Sequence, residues 1–267
     1  MESSILKYKD SYIHYSCFGN GTESLFAFHG FGESSNSFHC LNDSLGLKFT
    51  VYSFDLPYHG DTIWNESKHF TRKDLECIIT MFTSEKSIQH FSVLGFSMGG
   101  KYAMAIAYDM IDRIDNLFLL ASDGIRTKKL YNIAVYPKWG RYLFKTTIHR
   151  PTWFFNFIHF LNRRKLISSW LHKFTMNHMA TEQKRKRLFD SWISMVDFNM
   201  NIDKLKQKLN DAGVHSYLFF GERDEVIPVS VGEYFAKELL NCRLVILPRG
   251  HYFIDESLNP EITKVLA

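Results

Sequence analysis

The stretch that most constrains the fold is Gly95-Phe96-Ser97-Met98-Gly99-Gly100. The run Phe91-Ser92-Val93-Leu94 ahead of it is short, apolar and β-favouring. Lys101-Tyr102-Ala103-Met104-Ala105-Ile106-Ala107-Tyr108 behind it is rich in helix formers, with small residues on one face. A strand must therefore turn directly into a helix around Ser97. Such a turn is sharp enough to strain the serine backbone, and side chains at positions 95 and 99 would collide where strand and helix crowd together. The strain lifts the Ser97 hydroxyl clear of the sheet's end, where a base can reach it.

The flanking sequence alternates short apolar runs with helical segments. A hairpin is expected over residues 5–17, turning at Lys9-Asp10, and strands over Leu25–Phe28, Phe49–Phe54, Leu117–Ala121, Ser216–Phe220 and Arg243–Leu247. All-apolar runs of this length suit strands covered on both faces. Helices are expected over Ser34–Leu45, from Arg72 with Thr71 as its cap and Asp74 completing an imperfect capping box, over Val229–Leu240, and over Pro260–Ala267. The pattern predicts an α/β fold with a mostly parallel, doubly wound sheet. An aromatic share of 16%, with 24 phenylalanines, calls for large buried apolar surfaces or an apolar pocket.

The alternation breaks after Asp123-Gly124 and resumes near residue 201, dividing the chain into 1–124, 125–200 and 201–267. From Ile125 to Met200 there are 15 Lys and Arg against 3 Asp and Glu, whereas the whole chain carries only +4. Four of the five tryptophans also lie there: Trp139, Trp153, Trp170 and Trp192. So strong an asymmetry marks an inserted element with different neighbours from the core. Trp153, Phe154, Phe157, Phe160 and Leu161 either glue its helices to the core, leaving Arg163, Arg164 and Lys165 solvated, or roof a pocket for an apolar acyl chain. Its charge also suits an anionic membrane surface or an acidic carrier. The run Lys184-Arg185-Lys186-Arg187 stands without any nucleic-acid module, so no nucleic-acid partner is expected.

The four cysteines (Cys17, Cys40, Cys77 and Cys242) are widely spaced, which suits reduced thiols rather than a disulfide frame or a metal site. The first residues carry an acid and no long apolar run, unlike a signal peptide, and no stretch approaches the length of a membrane span. A cytoplasmic protein is expected. No metal-ligand spacing, Walker loop or dinucleotide fingerprint occurs, so no cofactor or metal is expected.

Three further motifs accompany the Ser97 turn: His29-Gly30-Phe31-Gly32, Asp55-Leu56-Pro57-Tyr58-His59-Gly60, and the pair Gly221-Glu222-Arg223-Asp224 and Gly250-His251 after the last two strands. Together they resemble the α/β-hydrolase superfamily, in its serine-nucleophile branch with a helical lid inserted after the sixth strand. The resemblance implies that Ser97 is the nucleophile, His251 the base and Asp224 the acid, with Asp123, Glu222 and Glu225 as rivals for the last role. It implies an oxyanion hole from the backbone N–H groups of Phe31 and Met98, with His29 a loop brace. Gly250 is expected to let the loop turn so that His251 faces the site. Tyr58 stands where the family's structural turn has glycine, so an altered turn is expected there. The implied activity is hydrolysis of carboxylic esters or thioesters of small-molecule acyl substrates through an acyl-enzyme. Two other readings remain. One is a lyase like the menaquinone-pathway cyclohexadiene-carboxylate synthases, against which Phe96 and Lys101 replace the usual Tyr and Arg. The other is a slow ligand-binding protein on the same fold.

Overall fold

The computed structural model describes residues 2–126 and 129–267. The chain divides into two compact units, one of Met1–Arg126 with Phe198–Ala267 and one of Thr127–Asp197.

The first unit is built on an eight-stranded sheet: β1 (Glu2–Tyr8), β2 (Ser11–Phe18), β3 (Glu23–Phe28), β4 (Phe49–Phe54), β5 (Phe91–Phe96), β6 (Ile114–Leu120), β7 (His215–Gly221) and β8 (Cys242–Leu247). Their order is β1-β2-β4-β3-β5-β6-β7-β8. The β1–β2 hairpin and the β2–β4 pair are antiparallel, and every later pair is parallel. Only β2 runs against the rest, so seven strands end at one carboxyl edge, and the chain reverses its direction of winding beside β3 and β5. In open parallel sheets, sites form at such a reversal.

Alternation along β3 shows why both faces are covered. Leu25 and Ala27 join a cluster with Phe38, Leu41, Leu45, Phe49, Val51, Leu258 and Ile262, which draws in α1 (Asn42–Leu45) and α11 (Asn259–Leu266). Phe26, on the opposite face, stacks on Phe91 at 4.4 Å and meets the Phe82 ring of α2 (Arg72–Glu85) edge-on at 5.4 Å. Tyr15, Tyr52 and Phe54 crowd the same Phe82 ring. Much of the phenylalanine content is thus used in sheet-to-helix packing. Edge-to-face pairs there add about 0.5–1.5 kcal/mol each beyond area burial.

Some expected elements differ in detail. The helix expected over Ser34–Leu45 begins as a 3₁₀ helix over Ser35–Leu41, where Phe38 and Leu41 sit three apart, eclipsed and fully buried. The Thr71 capping box is complete: Thr71 Oγ1 accepts from Asp74 N–H, and the Asp74 carboxylate accepts from Thr71 N–H. Helix α10 (Val229–Ala236) stops short of Leu240. Helix α9 (Ile202–Asp211), capped by Asn201 and burying Leu205 and Leu209, was not among the expected elements. The nucleophile-turn helix is α3 (Met98–Asp109).

The second unit holds α4 (Lys129–Val135), α5 (Lys138–His149), α6 (Thr152–Arg163), α7 (Ser169–His178) and α8 (Glu182–Ser194), with no strand among its described residues. Arg185 of α8 is buried and donates to the carbonyls of Ile148 and Met179, so one member of the basic run is an internal tie.

Candidate active site

Ser97 lies between β5 and α3 with φ 49° and ψ −116°, a region that L-residues with a Cβ occupy only under strain. Its backbone is pinned on every side. Ser97 N–H donates to Leu120 O at 2.9 Å, and Ser97 O accepts from Gly100 N–H at 3.0 Å and Asp123 N–H at 2.8 Å. A Cβ on Gly95 would lie 2.4 Å from Gly100 Cα, and one on Gly99 would lie 1.9 Å from Phe28 O. Gly100 is equally restricted, because its Cβ would stand 1.9 Å from Ser122 Oγ. Three strand ends thus close around one bend.

Two loops at the same edge bring the partners in. Glu222 N–H donates to Leu247 O and Arg223 N–H to Arg249 O, lacing the segment after β7 to the segment after β8. A Cβ on Gly221 would lie 2.5 Å from Gly250 O, so this close approach depends on Gly221. The expectation for Gly250 is corrected. Its φ is not left-handed, and a Cβ there would meet only Arg223 O, at 3.8 Å. The turn toward His251 comes from the lacing rather than from glycine freedom.

The result is a continuous chain of hydrogen bonds. Asp224 Oδ1 accepts from Val226 N–H at 2.7 Å and Ile227 N–H at 2.9 Å. Its Oδ2 lies 2.7 Å from His251 Nδ1, and His251 Nε2 lies 3.0 Å from Ser97 Oγ. A carboxylate only accepts, so Nδ1 carries the ring proton and Nε2 is left to accept from the serine hydroxyl. Asp224 and His251 are buried, while Ser97 is half-buried. Among the rivals, Asp123 Oδ1 takes the N–H of Gly124 instead.

Met98 is the first residue of α3, and N–H groups of a first helical turn have no acceptor within the helix. Phe31 lies in the loop after β3, its ring 5.1 Å from that of His59. His29 Nε2 accepts from Leu56 N–H at 3.0 Å, tying the β3 and β4 loops together, and its Nδ1 donates to Gly30 O at 2.7 Å within the β3 loop itself.

The Asp55 motif is a brace of the same kind. Asp55 accepts from Ser35 N–H, Asp61 N–H and the His14 ring. Those donors account for the close grouping of His14, Asp55 and Asp61 side chains. The altered turn expected at Tyr58 is not seen. Tyr58 adopts φ 70°, the left-handed conformation a glycine would take, and its hydroxyl accepts from Phe70 N–H at 3.2 Å.

Three neighbours of His251 escaped the sequence reading. The Phe96 ring lies 5.4 Å from the imidazole and the exposed Tyr252 ring 5.3 Å. The Glu33 carboxylate accepts from Gly30 N–H at 3.1 Å. Burial pushes the Glu33 carboxyl above the usual carboxylate range, with the Gly30 bond and positive charge on His251 pulling the other way. Lys101, one turn beyond Ser97, is buried rather than facing outward, and its Nζ donates to Asn199 Oδ1 at 2.8 Å. Burial pulls it down to about 8, against the opposing charge of Asp123.

Known proteins agree with this architecture. The family model for the alpha/beta hydrolase fold matches residues 24–152. A pimeloyl-[acyl-carrier protein] methyl ester esterase of Nitrosomonas europaea is 24% identical over 255 residues, spanning 90% of this chain and 92% of that one. An uncharacterized hydrolase of Bacillus subtilis is 22% identical over 94% of this chain and 90% of its own length. A thermophilic esterase from Thermogutta terrifontis, at 14% identity, superimposes with a TM-score of 0.71 over 100% of this chain and 98% of that one. With its sheet order, its strained serine bend and these matches, the chain has the α/β-hydrolase fold.

Proposed function

We propose that the protein is a serine hydrolase of carboxylic esters or thioesters that works through an acyl-enzyme on Ser97. The observation that carries this reading is the unbroken line from Asp224 through His251 to Ser97, at 2.7 and 3.0 Å. His251 Nε2 removes the Ser97 proton as Oγ attacks the acyl carbon, and Asp224 holds the imidazole in the tautomer that leaves Nε2 bare. The N–H groups of Phe31 and Met98 receive the developing oxyanion. His251 then protonates the departing alcohol or thiol. Water, deprotonated by the same nitrogen, releases the acid and restores the serine hydroxyl. No step requires a cofactor.

An apolar acyl group, free or on a carrier, is the proposed substrate class. Similarity to the Nitrosomonas pimeloyl-[acyl-carrier protein] methyl ester esterase supports it. In the same reading the Thr127–Asp197 unit is a lid, supported by its insertion between β6 and β7 in the sequence. The buried state of Lys101 offers the lyase reading no exposed cation beside Ser97. The test is Ser97→Ala assayed on p-nitrophenyl esters. Loss of at least about a thousandfold in kcat is expected, and retention of more than about a hundredth of the rate rejects the nucleophile.

A further inference from the structure

Helix α6 carries apolar side chains beyond its buried side, with Asn156, His159 and Arg163 forming a polar stripe among them. Its sequence, Thr152-Trp153-Phe154-Phe155-Asn156-Phe157-Ile158-His159-Phe160-Leu161-Asn162-Arg163, has no Lys, Arg, Asp or Glu before its last residue. Ile158 is buried, and Phe154, Phe155 and Leu161 are half-buried. Trp153, Phe157 and Phe160, at spacings of four and three, remain 39%, 51% and 49% exposed. An exposed apolar stripe of three large aromatic side chains calls for a cover.

Its surroundings say what kind of cover fits. The stripe runs directly into exposed Arg163, Arg164 and Lys165, and the Arg164 guanidinium lies 5.4 Å from the centre of the Phe160 ring. A hollow of about 380 Å³, lined by Asn156, His159, Phe160 and Arg163, opens on the same helix. It offers one aromatic wall and one guanidinium, a pairing suited to a phosphate ester with an attached hydrocarbon. Helix α5 repeats the composition, exposing Trp139, Tyr142 and Leu143 among Lys138, Arg141 and Lys145. Acids are scarce: of the three between Ile125 and Met200, Glu182 faces His149 and Asp190 faces Lys186. Nucleic acid would use the charge but leave the apolar stripe in water.

We propose that α6 docks the protein on an anionic lipid surface, with Trp153, Phe157 and Phe160 entering the boundary between headgroups and acyl chains. Arg163, Arg164 and Lys165 hold the lipid phosphates. No helix among the described residues is long and apolar enough to span a membrane, so the attachment is peripheral. The proposal does not depend on the esterase reading, and its test reads binding rather than turnover.

The full chain is sedimented with vesicles of phosphatidylcholine alone and of phosphatidylcholine with roughly one-third phosphatidylglycerol. Binding to the anionic vesicles only is expected, falling steeply as salt rises from about 0.05 to about 0.5 M. At about 1 kcal/mol per basic side chain at the surface, Arg163→Gln/Arg164→Gln/Lys165→Gln should weaken partitioning by tenfold or more. Trp153→Ala/Phe157→Ala/Phe160→Ala should do the same while keeping the helical circular dichroism of the parent. Trp153→Phe should still bind but lose much of the fluorescence quenching by brominated acyl chains. Equal binding to both vesicles, no binding, or binding that survives both triple variants overturns the proposal. So does a dimer in sedimentation velocity that the stripe variant dissociates, since a second copy would then be the cover.

Discussion

Asp224→Asn separates orientation of the base from everything else in the site. Asp224 Oδ1 accepts two backbone N–H groups, from Val226 and Ile227, at 2.7 and 2.9 Å. The asparagine carbonyl oxygen must keep that place, because turning the amide would set its NH₂ against both donors at about 1–3 kcal/mol for each unsatisfied group. The NH₂ therefore occupies the Oδ2 position, 2.7 Å from His251 Nδ1. A donor there forces Nδ1 to become the acceptor, and the ring proton moves to Nε2. Nε2, 3.0 Å from Ser97 Oγ, then has no lone pair for the serine proton. The equivalent change in serine proteases lowers kcat by about 10⁴, or about 5.5 kcal/mol of transition-state stabilisation. A loss of that order is expected in kcat for a p-nitrophenyl ester, with KM and the thermal midpoint little changed. If the variant keeps more than about a tenth of the parent's kcat, the tautomer argument is wrong.

Other outcomes follow from the same geometry. Gly99→Ala places a Cβ 1.9 Å from Phe28 O, a backbone atom that cannot step aside; a destabilisation of about 2 kcal/mol or more is expected in urea unfolding, with loss of activity. Asp123→Asn should keep kcat within about tenfold of the parent, because its carboxylate serves Gly124 rather than His251. Phe26→Ala, at the centre of the aromatic face, should cost about 3–5 kcal/mol in the same unfolding assay. Lys101 gives a pH dependence. Its folded pKa of about 8 lies below the ordinary 10.5, so between those values the unfolded chain binds the extra proton and stability rises with pH. The gap is worth about 3 kcal/mol. Unfolding of parent and Lys101→Met at pH values from about 7 to about 11 should show the rise in the parent alone, and parallel curves would contradict it.

The strands were legible because runs such as Leu25–Phe28 are apolar at every position, which a sheet covered on both faces requires. Ser97, Asp224 and His251 were legible as a pattern of motifs at strand ends. Their convergence is a property of parallel strands sharing one carboxyl edge. What stayed hidden depends on contacts between segments remote in sequence. Glu33 and Phe96 border His251 only after the loops fold together, and Gly221 rather than Gly250 proves to be the close approach. The 3₁₀ start at Ser35 was hidden for a different reason: Phe38 and Leu41, three apart, fit either helix. Tyr58 shows the limit of reading a turn by residue type, since it takes up, with its hydroxyl bonded to Phe70 N–H, a backbone conformation that glycine would adopt freely.

The most direct test of the central claim is covalent. Treated with a fluorophosphonate probe and digested, the native protein should carry the adduct on the peptide bearing Ser97 and nowhere else, and His251→Ala should abolish labelling although the hydroxyl remains. Absence of any adduct on the folded protein, or an adduct on a serine other than 97, would contradict the account.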